Sequence, residues 1–305
     1  MRVLAIRVTK GDIYEMTQIL VTGATGVLGQ QVVKALANRP NVITRLMSRR
    51  VLGPGGSEVL RPYSRVSLRR LSGYGAPTSR VQESTVFPFP TASWVRADLK
   101  SGEGLRDAVR DTDVIIHCAG DPRRLLEAAR MTKVSHIVYI SIVGCDRIPL
   151  FYYRQKVAKE EALKTSGIPF SILRATQFHA LIDLLLRGCS LLPWIMFLPT
   201  DLRFQSIAEC EVGRRMADLA LAPPTGAIQE MGGPQVLSLG EMAHTWITLR
   251  QLSRAVLPLW IPGKVAAGYR RGDNTCGTEL AHGEITWAQW VQRTYQRAPC
   301  SFSVT

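Results

Sequence analysis

The sequence has no uninterrupted apolar run of the ~18–20 residues that a transmembrane helix requires, so no membrane span is expected. Its most apolar stretch, residues 179–199, is interrupted by His179, Asp183, Arg187 and Pro193. We interpret this stretch as a core helix followed by a pocket-lining loop, with a membrane-surface element as the alternative. The length and apolar content of the chain are sufficient for a large soluble core.

Paired-cysteine motifs and metal-binding histidine motifs are also absent. The six cysteines show no C-x-x-C or zinc-ligand spacing, and the five histidines form no H-E-x-x-H. No metal site is therefore predicted, and reduced thiols are expected. Residues 1–15 lack the apolar core and cleavage site of a signal peptide. We expect a cytoplasmic protein in which residues 1–15 are an N-terminal extension, with Met1 and Met16 as alternative start codons.

Acidic residues are few, since 38 Lys and Arg against 24 Asp and Glu give a formal charge of +14 at pH 7. The basic residues are densest between positions 45 and 80, where Glu58 is the one acidic residue. No helix-turn-helix, zinc-finger or RNA-recognition motif accompanies them, so no nucleic-acid partner is expected. We interpret this segment as a solvated basic loop, with a polyanion-binding arm as the alternative.

The most informative feature that is present is a glycine-rich turn. The apolar residues 19–22 lead into Gly23, Gly26 and Gly29, and apolar residues then follow at helical spacing. The first glycine allows a sharp turn, the second removes a Cβ that would hold phosphates away, and the third lets helix and strand approach closely. Because a helix N-terminus favours an anion, the turn predicts a dinucleotide site, with an ordinary βα turn as the alternative.

The order of apolar runs and helical patterns predicts an α/β fold, a Rossmann-type doubly wound parallel sheet with a smaller C-terminal substrate-capping region. The predicted strands are 19–22, 42–47, 93–97, 114–118, 136–142 and 171–174. The predicted helices are 27–38, 102–110, 123–131, 150–166, 177–188, 209–221, 238–253 and 286–296, the last two beginning with capping boxes. We assign residues 16–176 to a dinucleotide-binding domain, 177–296 to the capping region and 297–305 to a tail. Residues 52–92, rich in Gly, Pro, Ser and Arg, are interpreted as a flexible insertion.

Tyr152 and Lys156 are the first candidates for catalysis, because they are four residues apart in a predicted helix and share one face. A lysine ammonium beside a phenol lowers the pKa of the phenol from about 10. Such a tyrosine can exchange a proton with a hydroxyl or carbonyl group during hydride transfer. Ser141 lies near the end of the preceding strand, where it can hold the substrate oxygen. A solvated helix face is the alternative, and Tyr153 points about 100° away round the helix, which makes it the weaker candidate.

Five segments together resemble the short-chain dehydrogenase/reductase superfamily: residues 19–29, 97–99, 115–119, 137–141 and 152–156. Residues 167–178 and 231–234 are similar to the atypical, NmrA-like NAD(P)H-binding branch of that superfamily. The resemblance spans about residues 16–296 apart from the insertion.

The resemblance implies where a cofactor would bind. The phosphate-binding turn is expected to be formed by Gly23, Thr25, Gly26, Val27, Leu28 and Gly29. The adenine is expected to contact Asp98 and Leu99, and the wall beside the cofactor ribose is expected to consist of Cys118, Ala119 and Gly120. The ribose 2′ position is expected beside Ser48, Arg49 and Arg50. Guanidinium groups without an acidic residue favour NADP over NAD, and a simple basic loop is the alternative.

The resemblance also places Ser141, Tyr152 and Lys156 at the catalytic positions, with Lys156 holding the nicotinamide ribose as well. It implies that four residues face the substrate: Thr176, Gln177, Phe178 and His179. For His179 a packed or hydrogen-bonded role is the alternative. The chain departs from the family in its insertion and in a shortened segment after Gly120, which puts dimer formation and catalytic competence in question.

Three functions are therefore hypotheses. The first is an NADP-dependent oxidoreductase of the atypical short-chain type, acting on a small carbonyl, alcohol or activated double bond. The second is a non-catalytic NAD(P)H-binding redox sensor or assembly or regulatory protein, which the shortened segment favours. The third is a nucleotide-sugar epimerase or dehydratase with tightly held NAD, against which the basic residues after the second strand argue mildly.

Overall fold

The computed structural model of the chain describes residues 16–37, 39–49, 92–190, 192–280 and 282–295. The predicted extension 1–15, the insertion apart from residue 92, the tail and the cofactor assignment of Arg50 lie outside the described residues.

The described elements follow the predicted alternation of strands and helices. The strands are β1 (Thr17–Thr22), β2 (Val42–Ser48), β3 (Ala92–Arg96), β4 (Val114–His117), β5 (His136–Ile142), β6 (Phe170–Ala175), β7 (Ile195–Leu198), β8 (Arg203–Phe204), β9 (Ile228–Met231), β10 (Leu237–Ser238) and β11 (Ala255–Pro258). The helices are α1 (Val27–Ala37), α2 (Leu105–Val109), α3 (Arg123–Ala129), α4 (Phe151–Lys164), α5 (His179–Gly188), α6 (Glu209–Leu221), α7 (Leu239–Leu249), α8 (Lys264–Arg271) and α9 (Trp287–Tyr295).

Every strand and helix predicted from the sequence is present, but some ends differ. The helix predicted from residue 102 begins at Leu105, because Gly102 and Gly104 have φ values of +88° and +71°, which lie outside the helical region. The helix predicted to reach residue 253 ends at Leu249, and Gln251 beyond it has a φ of +52°. Five strands, β7 to β11, and helix α8 were not predicted.

A parallel sheet of seven strands in the order β3-β2-β1-β4-β5-β6-β9 forms the centre of the fold. Alternate side chains of its strands enter two cores. Leu20 and Ile115 face the layer of α2, α3 and α4, whereas Ile19 and Ile116 face the layer of α1 and α6. Because both faces are covered, the central strands are almost continuously apolar. The predicted Rossmann-type fold is confirmed.

The sheet layer includes residues well beyond position 176, where the sequence places the end of the dinucleotide-binding domain. Helix α6 packs against α1, and a Cβ added at Gly213 would lie 2.8 Å from Gln31. Strand β9 pairs in parallel with β6. It thereby covers backbone groups of β6 that an edge strand would leave unpaired. Helix α6 and strand β9 therefore lie in the sheet layer although they follow residue 176, and the division of the chain at that residue stays a prediction.

The remaining C-terminal elements form a third core around Trp246 and Trp287. Both predicted capping boxes are present: Ser238 Oγ accepts the N–H of Glu241 at 3.2 Å, and Thr286 pairs in the same way with Gln289. The apolar stretch 179–199 contains α5 and β7. Among the described helices, none is both long enough and apolar enough to cross a membrane.

Candidate active site

The glycine-rich turn lies at the carboxyl end of β1, between that strand and α1. Gly23 has a φ of +71°, and its carbonyl oxygen accepts the N–H of Gly26 at 2.9 Å. A Cβ at Gly29 would overlap that same carbonyl, so the close contact of helix and turn requires glycine there. Gly26 is exposed, and among the described residues a Cβ added to it would meet only the Gly23 oxygen, at 3.2 Å. The turn therefore presents bare backbone to the solvent, as a phosphate-binding turn must.

Neighbouring loops close around this turn at the same edge of the sheet. A Cβ at Gly23 would lie 2.6 Å from the Cβ of Ala119, in the segment after β4. Gly120 has a φ of +64° and packs beside Leu99. The Asp98 carboxylate accepts the N–H of Lys100 at 2.8 Å, which fixes its own turn. The predicted phosphate, adenine and ribose segments are thus adjacent in the structure.

The end of β2 carries the residues predicted to select NADP. Ser48 is the last residue of β2 and is partly buried, and Arg49 follows it with an exposed side chain. In the parallel register β2 lies beside β1, with Met47 opposite Thr22. Arg49 therefore extends from the sheet edge next to the glycine-rich turn.

Lys156 projects from α4 towards the carboxyl end of β5. Its Nζ donates a hydrogen bond of 3.0 Å to the carbonyl oxygen of Ile140 and lies 5.0 Å from the ring centroid of Tyr139. Burial lowers the pKa of Lys156 to about 8, and the ammonium group of Lys159 acts in the same direction. At neutral pH the ammonium form therefore still predominates, with a neutral fraction larger than that of an exposed lysine.

The other two predicted catalytic residues differ in burial. The side chain of Tyr152 is 50% exposed, whereas Ser141 is buried and its Oγ lies 3.9 Å from the Sγ of Cys145. The ring centroid of Tyr152 is 6.3 Å from that of Tyr153. Lys156 and Ser141 thus lie at the end of β5, while Tyr152 lies at the surface of the same region.

A buried ion-pair network holds α4 against the sheet. The guanidinium of Arg174 on β6 donates two hydrogen bonds, of 2.9 and 2.7 Å, to the two carboxylate oxygens of Glu160. Arg174 also donates to Asp146 at 2.7 Å. Because Glu160 lies one helical turn beyond Lys156, this bidentate pair also fixes the position of the lysine.

Two buried polar atoms beside Lys156 have no hydrogen-bond partner within the described part of the chain: Nε2 of His117 and the hydroxyl of Tyr139. These residues are opposite each other on β4 and β5, with ring centroids 5.6 Å apart. The Nδ1 of His117 is 2.7 Å from Thr22 Oγ1, and burial lowers the pKa of His117 to about 3. The imidazole is therefore neutral. Unpaired buried polar atoms are uncommon, so this edge of the sheet has unused hydrogen-bonding capacity.

Tyr153, rather than Tyr152, is the buried tyrosine of α4. Its hydroxyl lies 2.7 Å from that of Tyr269 and accepts a bond of 3.4 Å from Gln177 Nε2. The Oε1 of Gln177 in turn accepts from Asn274 at 3.1 Å. Burial raises the pKa of Tyr153. Sequence reasoning identified neither Tyr269 nor Asn274, because no local motif marks residues that contact Tyr153 or Gln177 from about 100 positions further along the chain.

The residues predicted to face the substrate are largely buried. His179 is fully buried, with Nε2 3.0 Å from the carbonyl oxygen of Ile285 and Nδ1 2.8 Å from Ser206 Oγ. Burial lowers its pKa to about 4. Thr176 accepts the N–H of Gly233 at 3.4 Å, and Phe178 packs against the core of the sheet. His179 thus has the environment of a packed, hydrogen-bonded residue, and the substrate role of these residues stays a prediction.

The profile of the NmrA-like family matches residues 15–182. The chain belongs to the NmrA-like family. The resemblance identified from the sequence motifs is thereby confirmed. A comparison of this NmrA-like protein with curated proteins finds no significant match.

Solved structures with the same fold include two reductases and an epimerase. The NADPH-dependent quinone oxidoreductase QOR2 from Escherichia coli is 17% identical, with a TM-score of 0.69, and the match covers 91% of this chain and 99% of that one. The triphenylmethane reductase of Citrobacter sp. is 17% identical, with a TM-score of 0.66 and coverage of 92% and 99%. A nucleoside-diphosphate-sugar epimerase from Staphylococcus aureus is also 17% identical, with a TM-score of 0.66 and coverage of 90% and 100%. At these identities the similarity shows the fold of this NmrA-like protein.

Proposed function

We propose that this NmrA-like protein is an NADP-dependent oxidoreductase acting on a small carbonyl compound, alcohol or activated double bond. The observation that carries the proposal is the bare glycine-rich turn at the carboxyl edge of the sheet. Lys156 lies at the same edge, at the end of β5. Structures of the same fold support the choice of cofactor, because QOR2 has been crystallised with NADPH and the triphenylmethane reductase with NADP(H).

The residues present fit such a cofactor. Gly26 leaves space where a side chain would exclude a diphosphate, and α1 begins at the next residue, so that its N-terminal N–H groups would be available to the anion. Arg49 would pair with the 2′-phosphate of NADP. The bound cofactor supplies or accepts the hydride. The protein has to hold it, orient the substrate and move one proton.

Lys156 and Tyr152 are the residues proposed to move that proton. A protonated Lys156 would hold the ribose hydroxyls and, through its charge, stabilise the phenolate of Tyr152. The hydroxyl of Tyr152 would give its proton to the substrate oxygen during reduction and take it back during oxidation. Ser141 would hold the same oxygen by a hydrogen bond.

The second candidate is a non-catalytic NADP(H)-binding protein. It is favoured by α3, which has only seven residues and begins soon after Gly120, so little chain is present to cover a nicotinamide ring. A nucleotide-sugar epimerase or dehydratase is a third candidate. An enzyme of that kind would hold NAD, but Arg49 stands where an acidic residue would accept a hydrogen bond from the ribose 2′-hydroxyl of NAD.

A measurement of NADPH turnover distinguishes the oxidoreductase from the non-catalytic binding protein. NADPH oxidation is measured against a panel of quinones and aldehydes, for the wild type, Tyr152→Phe and the neighbouring control Tyr153→Phe. We expect Tyr152→Phe to lower kcat at least a hundredfold and to leave the NADPH dissociation constant unchanged, while Tyr153→Phe keeps most of the activity. Tight NADPH binding without turnover of any compound would support the binding protein instead.

Cofactor choice is tested separately by isothermal titration with NADPH and NADH. Arg49→Ala should weaken NADPH binding at least tenfold and leave NADH binding unchanged, with the exposed and more distant Arg110→Ala as the control. An equal loss for both cofactors would contradict the assignment of the 2′-phosphate to Arg49.

A further inference from the structure

The two-stranded sheet of β7 and β11 has an apolar outer face. These strands pair in parallel, with Phe197 opposite Leu257. The alternate residues Met196 and Leu198 are fully buried in the C-terminal core. Because successive side chains of a strand point to opposite faces, Phe197 and Leu257 point outwards, and both are exposed.

Exposed tryptophans flank the two strands. Trp194 precedes β7 and Trp260 follows β11, with 72% and 70% of their surface exposed. We call these two tryptophans and the exposed side chains of Leu192, Phe197, Leu257, Leu259 and Ile261 the cap patch. Backbone hydrogen bonds join its parts, from Ala255 to the carbonyl of Trp194 and from Leu259 to that of Leu198.

The cap patch gathers seven exposed apolar side chains around one pair of strands. A tryptophan side chain offers on the order of 200 Å², so its two tryptophans alone present on the order of 300 Å². Five further apolar side chains add to this area. Patches beyond ~300–600 Å² on a monomer mark interaction sites, and this exposure therefore calls for a partner.

The sequence around the cap patch is basic. From Met242 to Gly272 it contains five Lys and Arg residues and no Asp or Glu, and two of the five, Arg270 and Arg271, pair with Asp201 and Asp273. Arg254 holds the patch loop by donating to the carbonyl of Leu192 at 2.6 Å, and Lys264 follows the patch at the start of α8. Within the described ranges neither of these two cations forms an ion pair. Arg270 lies over the Trp260 ring, 5.6 Å from its centroid, and pairs with Asp201.

We propose that the cap patch docks on an anionic lipid bilayer surface as a peripheral contact. Tryptophan and leucine side chains enter the boundary between headgroups and acyl chains, while Arg254 and Lys264 meet acidic headgroups. A second copy of the chain is a poorer occupant, because a two-fold interface places the same basic rim against itself. This docking does not depend on the proposed oxidoreductase activity.

The test is co-sedimentation of the full-length protein with vesicles of phosphatidylcholine alone and of phosphatidylcholine with 30% phosphatidylglycerol. We expect at least tenfold tighter binding to the anionic vesicles in low salt, with a blue shift of tryptophan emission. The double variant Trp194→Ser/Trp260→Ser and the single variant Lys264→Glu should each lose at least tenfold of that binding. Because these side chains are exposed, the variants should keep the wild-type melting temperature and NADPH affinity.

A matched control replaces an apolar residue outside the cap patch. Met131 is 84% exposed after α3, and Met131→Ser should bind vesicles as the wild type does. Equal binding of the wild type to both vesicle types, or unchanged binding of the tryptophan variant, would overturn the proposal. The proposal would also be overturned if the wild type sediments as a dimer and the tryptophan variant as a monomer, because the cap patch would then be an interface between copies.

Discussion

Lys156→Met should stabilise the fold while removing the proposed activity. Lowering the pKa of Lys156 from 10.5 to about 8 corresponds, at about 1.36 kcal/mol per pH unit, to about 3 kcal/mol against the ammonium form. The side chain is only partly buried, and the variant loses the charged hydrogen bond to Ile140, which is worth ~1.5–3 kcal/mol at most. We therefore expect a net gain of about 1 kcal/mol in the free energy of unfolding at pH 7.

The pH dependence of this gain is specific to the mechanism. Below pH 8 the folded wild type carries the whole penalty of a desolvated ammonium. Above pH 10.5 the lysine is neutral in both the folded and the unfolded state, and the penalty disappears. The advantage of Lys156→Met should thus be largest near pH 7 and shrink as the pH rises from 8 towards 10.

Urea denaturation at pH 7 and pH 9.5 measures both effects. The control is Lys164→Met on the same helix, where an exposed pair with Glu161 at 3.7 Å is worth less than about 1 kcal/mol. A variant that is less stable than the wild type at pH 7, or one whose advantage does not change with pH, would refute the reasoning. NADPH turnover should be lost in Lys156→Met and kept in Lys164→Met.

Three further predictions concern close packing and buried charge. Gly29→Ala should lower the free energy of unfolding by ~1–3 kcal/mol and weaken NADPH binding, because its methyl overlaps the carbonyl of the turn; urea denaturation and titration measure the two effects. Arg174→Met leaves Glu160 buried without its partner and should cost ~3–5 kcal/mol, much of which a double variant with Glu160→Met recovers in a mutant cycle. Gly213→Ala should force α6 away from α1 and lower the melting temperature, whereas Gly188→Ala, with open space around it, should not.

The sheet could be predicted because its central strands are buried on both faces. Strand β4, for example, is buried at every residue and is apolar up to its final histidine, so its pattern is visible without neighbours. Strand β9 lies at the edge of the sheet and contains Gln229 and Glu230, which are only partly buried. It therefore lacks the continuous apolar pattern of the central strands. Its pairing with β6 depends on tertiary contacts, which the local sequence does not predict.

Within the site, the turn was predictable and the side-chain contacts were not. The spacing of the three glycines requires a particular backbone path, and the structure follows that path. The hydrogen bond from Lys156 to Ile140 depends on the distance between α4 and the sheet, which the sequence does not encode locally. The same holds for the outward face of Phe197, because its strand partner lies about sixty residues later.

The path of the chain limits which segments could be exchanged between related proteins during evolution. After β6 the backbone leaves the sheet for α5, β7 and β8, returns with α6 and β9, and leaves again. Neither region is therefore a contiguous piece of polypeptide that recombination could exchange as a cassette. Truncation after residue 176 would strip a neighbour from β6 and a helix from α1, and the remaining product should aggregate. New substrate preferences in this protein should consequently arise by substitution within the existing scaffold.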